Sequence, residues 1–209
     1  MKLELEPDFS PSKIVCVGRN YAEHAAELGN AVPTEPLLFL KAPSSLIRTG
    51  QSIAIPQQSL QVEHEGELAV IISKTCKDLA VDADPLDHVL GYTCLNDVTA
   101  RDIQRKDVQF TRGKSFDTFC PIGPHIETEL DPSDIRVETR VNGVTKQSGR
   151  TSQMVFPVDF LIRYISTMMT LNPGDVIATG TPSGVSKMER GDVCEVEIEG
   201  IGILRNSVI

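Results

Sequence analysis

Tryptophan is absent from this 209-residue chain, and aromatic residues of all kinds make up 5% of it. So small an aromatic supply argues against the stacking platforms that bind single-stranded bases. Cations are also in deficit. Twenty Lys and Arg against 29 Asp and Glu leave a formal net charge of −9, the wrong sign for a nucleic-acid surface. No apolar run approaches the roughly 18 residues of a membrane span, and the opening Met-Lys-Leu-Glu-Leu-Glu-Pro-Asp has neither the apolar core of a signal peptide nor the acid-poor character of a transit peptide. No Gly-rich phosphate loop follows a strand and opens a helix, which weighs against a nucleotide-binding role. The five cysteines (Cys16, Cys76, Cys94, Cys120 and Cys194) show no Cys-x-x-Cys spacing. Most lie in or beside apolar runs, so they read as reduced core residues of a cytoplasmic protein rather than as disulfides or a zinc site.

What is present suits one globular domain: 40% hydrophobic and 23% charged residues over a length that can bury a substantial core. Short strands are expected at Lys13–Val17, Leu37–Leu40, Ile53–Ile55, Glu67–Ile72, Gly91–Asn96 and Val176–Ala178. Asn142-Gly143 between two strand-like runs is the signature of a two-residue hairpin. Cys194, Val196 and Ile198 alternate with Glu195, Glu197 and Glu199, the pattern of a half-exposed strand. Helices are few. Asn20 is placed to cap one that runs through Leu28, Thr99–Val108 has helical composition, and Pro157 opens the clearest helix, to about Thr170. The expected fold class is therefore β-rich α+β, a mixed β-sandwich or roll with a few short helices.

Glu65 and Glu67 flank Gly66 at the head of an apolar run. On a strand the two side chains share a face, about 6–7 Å apart. Carboxylates feeding a buried strand are costly unless a positive charge lies between them, and a hard divalent cation with oxygen ligands is the simplest candidate. Asp97, where another apolar run ends, completes a plausible Mg²⁺ or Mn²⁺ set. By itself Glu-x-Glu more often marks the solvated face of an edge strand.

Other residues carry chemistry in combination. His24 and Glu27, three apart on a candidate helix, can meet; a carboxylate beside an imidazole raises its basicity and suits a general base. Surface helices hold many such pairs without function. Arg101 and Gln104 share a face and follow Asp97, so Arg101 can grip a carboxylate with two prongs, or pair with Asp102 or Asp97 instead. Lys114 lies in a polar segment without helical periodicity. Thr179-Gly180-Thr181-Pro182-Ser183-Gly184 reads as a tight loop after a strand whose amides and hydroxyls can receive an anionic oxygen. Lys41 and Arg19, each at a strand end, face either a pocket or solvent. His64 alternates away from the two glutamates and is not expected to be a ligand.

Five stretches in order resemble the fumarylacetoacetate hydrolase family, in particular its short acylpyruvate hydrolase branch. They are residues 18–27 (Gly-Arg-Asn-Tyr-Ala-Glu-His-Ala-Ala-Glu), 37–41 (Leu-Leu-Phe-Leu-Lys), 96–104 (Asn-Asp-Val-Thr-Ala-Arg-Asp-Ile-Gln), 113–117 (Gly-Lys-Ser-Phe-Asp) and 179–184. The resemblance covers residues 13–209 and implies a single catalytic domain there, with residues 1–12 as an N-terminal extension. It further implies a mixed β-roll, a homodimer, and Mg²⁺ or Mn²⁺ held by Glu65, Glu67 and Asp97 in the mouth of the roll. His24 and Glu27 become a water-activating dyad on a lid, Lys114 a cation on the substrate, and Thr181 a substrate contact with Gly180 allowing close backbone approach. The implied reaction is cleavage of the C–C bond of an acylpyruvate through a metal-bound pyruvate enolate. Decarboxylation or tautomerisation of oxaloacetate, and isomerase or decarboxylase work on unsaturated dicarboxylates, use closely related chemistry and remain open. A non-enzymatic domain stabilised by its metal is the remaining alternative.

Overall fold

The computed structural model describes residues 1–6 and 9–209. Its strands begin with β1 (Lys2–Glu4), β2 (Ile14–Gly18), β3 (Leu37–Lys41), β4 (Leu46–Arg48) and β5 (Ser52–Ile53). The middle of the chain adds β6 (Val62–Glu63), β7 (Gly66–Ile72), β8 (Val89–Asn96), β9 (Thr99–Ala100) and β10 (Cys120–Glu127). The remainder are β11 (Arg136–Val141), β12 (Val144–Arg150), β13 (Val176–Ala178), β14 (Val193–Ile198) and β15 (Gly202–Val208). Among the described residues four α-helices interrupt them: α1 (Ala22–Glu27), α2 (Arg101–Gln104), α3 (Thr111–Lys114) and α4 (Val158–Met168).

The strands form two main sheets and one small ribbon. In the larger sheet the order is β1-β10-β8-β7-β13-β2-β3, with β4 also on β10; the second sheet runs β12-β11-β14-β15-β5, and β6 pairs with β9. β13 lies parallel to β2 and antiparallel to β7, which makes the large sheet mixed. This is the expected β-rich roll with few short helices. Residues before Lys13 join it too, since β1 pairs with β10.

β7 explains itself by burial on both faces. Leu68, Val70 and Ile72 face the main core together with Val137, Val196, Ile198 and α4, whereas Ala69 and Ile71 face a second core with Ile14, Cys16, Leu95 and Ile122. A strand covered on both sides reads as an unbroken apolar run instead of an alternation. Gly66 opens it because a Cβ there would lie 2.1 Å from Thr139 Oγ1 and 3.2 Å from Val196 of the second sheet. β14 shows the opposite case, with Cys194, Val196 and Ile198 buried and the intervening glutamates half-exposed. α4 is only 11 residues long and would be marginal alone. It is held by Leu161, Ile162 and Ile165, fully buried in the main core, each worth roughly 1.5–3 kcal/mol. The Asn142-Gly143 turn joins β11 to β12 with φ of 52° and 75°, both positive as a primed two-residue turn requires. The five cysteines are free and buried. Among the described residues no helix is long and apolar enough to cross a membrane.

Three local expectations change. The helix expected over Thr99–Val108 is the single turn α2, preceded by a bridge strand, because β9 must pair with β6. Lys114 ends a helical turn, α3, which its polar sequence does not reveal. Asn20 does not cap α1. The cap position is Tyr21, with no side-chain hydrogen bond; Tyr21 is buried and bridges to Met154. Asn20 itself clasps two distant segments: Nδ2 donates to Phe156 O (3.0 Å) and Thr179 O (2.8 Å), and Oδ1 accepts from Phe156 N (2.8 Å). All these groups are buried, so Asn20→Ala would strand them at about 1–3 kcal/mol apiece in the worst case. The variant is expected to unfold at lower denaturant with an unchanged m-value; a midpoint equal to wild type would show that water replaces the clasp.

Candidate active site

The antiparallel register of β7 on β8 creates the site. Gly66 lies opposite Asn96 and Glu67 opposite Leu95, so the start of one strand meets the end of the other. Glu65 N donates to Asn96 Oδ1 at 2.9 Å, and Asp97 N donates to Glu65 O at 2.8 Å. Residues some thirty apart in sequence are thereby pinned side by side. Glu65, Glu67 and Asp97 each offer a carboxylate oxygen within 4.8 Å of the others, and all three are buried.

Cations surround two of the three. Lys114 Nζ donates to Glu65 Oε2 (2.9 Å) and Asp97 Oδ2 (2.6 Å). Lys41 Nζ reaches Asp97 Oδ1 (2.6 Å) and Val98 O (3.1 Å). Arg101 binds Glu65 through Nη2, Glu63 Oε2 through Nε (2.7 Å) and Gln104 Oε1 through Nη1 (2.6 Å). Arg101 therefore pairs with Glu63 and Glu65 and not with Asp102 or Asp97; Asp102 is taken by Ser59 and Leu60 N. Glu67 differs. Its carboxylate accepts from the Gly180 amide at 2.7 Å and, among the described residues, has no cation at ion-pair distance.

The electrostatics follow. Burial alone would favour the neutral acid at Glu65, but Lys114 and Arg101 outweigh it and hold its carboxyl well below the usual range. Burial opposes the charge of Lys114, and Asp97 and Glu65 more than restore it, so the side chain remains an ammonium. At Glu67 burial and then the charges of Asp97 and Glu65 all act in one direction and push the carboxyl up. Four acids (Glu63, Glu65, Glu67, Asp97) face three bases (Lys41, Arg101, Lys114). An all-carboxylate donor set with one acid unneutralised fits a hard dication such as Mg²⁺ or Mn²⁺ better than a metal that prefers nitrogen or sulfur.

A cavity of about 500 Å³ opens in front of this cluster. Arg19, His24, Glu27, Arg101, Gln104, Lys114 and Thr181 line it together with the three carboxylates. His24 is nearly buried and lines the cavity, and its Nδ1 meets Glu27 Oε2 at 3.2 Å, so that contact does not occupy Nε2. Glu27 also accepts from Gly184 N at 3.1 Å, tying the lid to the 179–184 loop. Two candidates lie outside the wall. Lys41 sits behind Asp97 and orients it; the antiparallel β2–β3 pair points it inward. Gly180, with φ of 98°, makes its close approach to Asn20 and Val17, where a Cβ would meet Asn20 Cβ at 2.7 Å. It serves Glu67 through its amide. His64 is no ligand: it bridges Gln147 and Ser186.

The structure adds residues that the motifs do not mark. Glu63 shares the period-two face of Glu65 and Glu67, a signal available in the sequence. Arg105, four after Arg101, lines the cavity with Asn30, Phe39 and Phe110. Gln147, on the far hairpin, donates to Thr181 Oγ1 (2.7 Å) and accepts from Gly66 N (3.0 Å); no local pattern could identify it.

A mixed β-roll with three buried carboxylates on the wall of a cavity that α1 also lines defines a class, and comparison with known proteins supplies its family. The chain matches the fumarylacetoacetate (FAA) hydrolase C-terminal family over residues 13–209 and belongs to it. It is 52% identical over 201 residues to an uncharacterized protein of Methanocaldococcus jannaschii, covering 96% of this chain and 84% of that one. It is 43% identical over 216 residues to the oxaloacetate tautomerase YisK of Bacillus subtilis, covering 97% and 71%. The crystal structure of 5-carboxymethyl-2-hydroxymuconate delta-isomerase from Mycobacterium smegmatis superposes with a TM-score of 0.89 at 48% identity, covering 95% and 79%.

The unpaired state of Glu67 yields a two-sided prediction. Its folded pKa is raised from 4.5, so the metal-free protein loses stability as pH rises from the unfolded value through the folded one. In EDTA at neutral pH, Glu67→Gln should therefore melt above wild type, by roughly 2–4 °C per kcal/mol relieved. Added Mg²⁺ or Mn²⁺ should raise the melting temperature of wild type and leave the variant unmoved. An equal metal response in both proteins would remove Glu67 from the ligand set.

Proposed function

We propose that this chain is a divalent-metal-dependent enzyme that interconverts the keto and enol forms of a short 2-oxo dicarboxylic acid of the oxaloacetate type. The observation that carries this reading is a second group of cations on the cavity wall. Arg101 and Lys114 stand beside the carboxylate cluster, while Arg19 and Arg105 also line the cavity. Among the described residues Arg105 is tied only to Gln61, at 3.3 Å, and the neighbouring Asp107 is engaged by Arg112 at 2.6 and 2.8 Å. A substrate anionic at both ends suits such a wall. The tautomerase and isomerase names of the relatives support proton-transfer chemistry.

Glu65, Glu67 and Asp97 would hold Mg²⁺ or Mn²⁺, which supplies Lewis-acid withdrawal of electrons from the 2-oxo group. The rest falls to side chains. Arg101 has five N–H donors and uses three on Glu63, Glu65 and Gln104, so two remain for the substrate's 1-carboxylate. Lys114 uses two of its three donors on Glu65 and Asp97 and offers the third to the 2-oxo oxygen. Since it stays an ammonium, it stabilises negative charge there and is not the base. His24 Nε2 takes the C3 proton, and Glu27 on Nδ1 stabilises the imidazolium that forms. Proton transfer to the 2-oxo oxygen then completes the enol, and the reverse sequence, with that oxygen losing its proton and His24 returning one to C3, gives the ketone.

Cleavage of acylpyruvates is the second reading, and the His24–Glu27 contact favours it, because the same base can activate a water against a distal carbonyl. Following enol absorbance and pyruvate release together separates the two. With Mg²⁺ or Mn²⁺, wild type should accelerate ketonisation of oxaloacetate without producing pyruvate, and EDTA should stop it. Rapid pyruvate release from acetylpyruvate would install hydrolysis instead. His24→Ala should lower kcat by about 10²–10⁴-fold. Arg105→Gln should raise KM for oxaloacetate about tenfold and leave turnover of monoanionic 2-oxo acids unchanged; equal effects on both would deny Arg105 the distal carboxylate.

A further inference from the structure

We infer that Glu63 is the positioning residue for Arg101, and that it governs affinity for the carboxylate of the 2-oxo acid without touching it. The inference rests on the reading of Arg101 as the group that binds that carboxylate. Glu63 is buried and absent from the cavity wall, whereas Arg101 is buried and on it. One oxygen of Glu63 accepts from Arg101 Nε at 2.7 Å; the other accepts from Gln61 Nε2 at 2.6 Å. The backbone reinforces the pair. Glu63 lies opposite Thr99 in the β6–β9 ribbon, Gln61 O accepts from Arg101 N at 2.8 Å, and β9 runs straight into α2.

The guanidinium is thereby held at three corners: Nε by Glu63, Nη2 by Glu65 and Nη1 by Gln104. Bidentate recognition needs the plane of the fork fixed, and the contacts at Nε and at both Nη atoms together fix it. Without Glu63, Glu65 is the one carboxylate left on the guanidinium, and the fork is drawn further onto it, withdrawing the two donors meant for substrate. A misplacement of about 1 Å in such a group can cost up to a hundredfold.

The sign of the effect separates this role from its rivals. Glu63 is a negative charge near an anion site, so a purely electrostatic role predicts that removing it tightens anion binding. A purely structural role predicts a lower melting temperature with unchanged affinity. Positioning predicts weaker binding on loss of the side chain and recovery when its shape is kept. The experiment is calorimetric titration of the Mg²⁺-loaded protein with pyruvate, which needs no turnover, alongside KM and kcat for oxaloacetate. Glu63→Ala should weaken pyruvate and raise KM at least tenfold while kcat falls by much less. Glu63→Gln should keep most of the affinity for pyruvate, since its amide oxygen can still accept from Nε while the Gln61 amide turns to match; that turn gives up the 3.3 Å contact of Gln61 with Arg105, which pyruvate, having no distal carboxylate, does not report. In an Arg101→Lys background, Glu63→Ala should have no further effect on affinity. Tighter binding in either single variant, an unchanged dissociation constant in Glu63→Ala, or an undiminished effect in the Arg101→Lys background would overturn the inference. A wild type that fails to bind pyruvate would overturn instead the reading of the site on which it rests.

Discussion

The protein is organised around an electrostatic imbalance that its core makes costly. Four carboxylates and three cationic side chains occupy a buried cluster where β7 begins and β8 ends, and the leftover charge is concentrated on Glu67. In water such an imbalance would be trivial. In a buried site each unpaired charge costs several kcal/mol, so the cluster favours either a proton on Glu67 or a positive group beside it. Under the proposed function, the same surplus would draw in a dication, and the dication in turn an anionic acid.

The surroundings of the cluster can be understood as its support. Lys41 lies behind Asp97, Glu63 behind Arg101, and the Gly180 amide behind Glu67; none of the three lines the cavity, yet each orients a group that does. Gln147 ties the Thr181 loop to the start of β7 from the opposite sheet. Asn20 ties the base of the lid to both the Phe156 and Thr179 segments. The lid then brings His24 over the cavity and rests on Gly184 through Glu27. Small movements between the two sheets would thus be transmitted to the acids and to the base together.

This arrangement suits chemistry in which one enolate-like charge distribution is stabilised and the fate of the molecule is decided elsewhere in the pocket. Under the proposed function, the carboxylates, Arg101 and Lys114 would engage the 2-oxo acid group common to all such substrates. Arg19, Arg105 and Phe110, which also line the cavity, would meet what lies beyond C3. Relatives with tautomerase and isomerase names are consistent with one inner site serving several reactions.

Much of this was legible in the chain. The two glutamates around Gly66, Asp97 at a strand end, the His24–Glu27 spacing and the Asn142-Gly143 turn are short-range patterns, and local stereochemistry alone determines which side chains share a face. The alternation in β14 and the doubly apolar β7 likewise announce how many of their faces are covered. What only the tertiary structure decided is partnership over distance. Whether Arg101 answers Glu63 or Asp102, whether Lys41 faces the cavity or stands behind Asp97, and whether Asn20 caps a helix or clasps two loops depend on strand register and sheet packing, which join residues as far apart as Asn20 and Thr179. Sequence determines what each residue can bind; burial and register select the one partner that leaves the fewest charges and hydrogen-bonding groups unsatisfied.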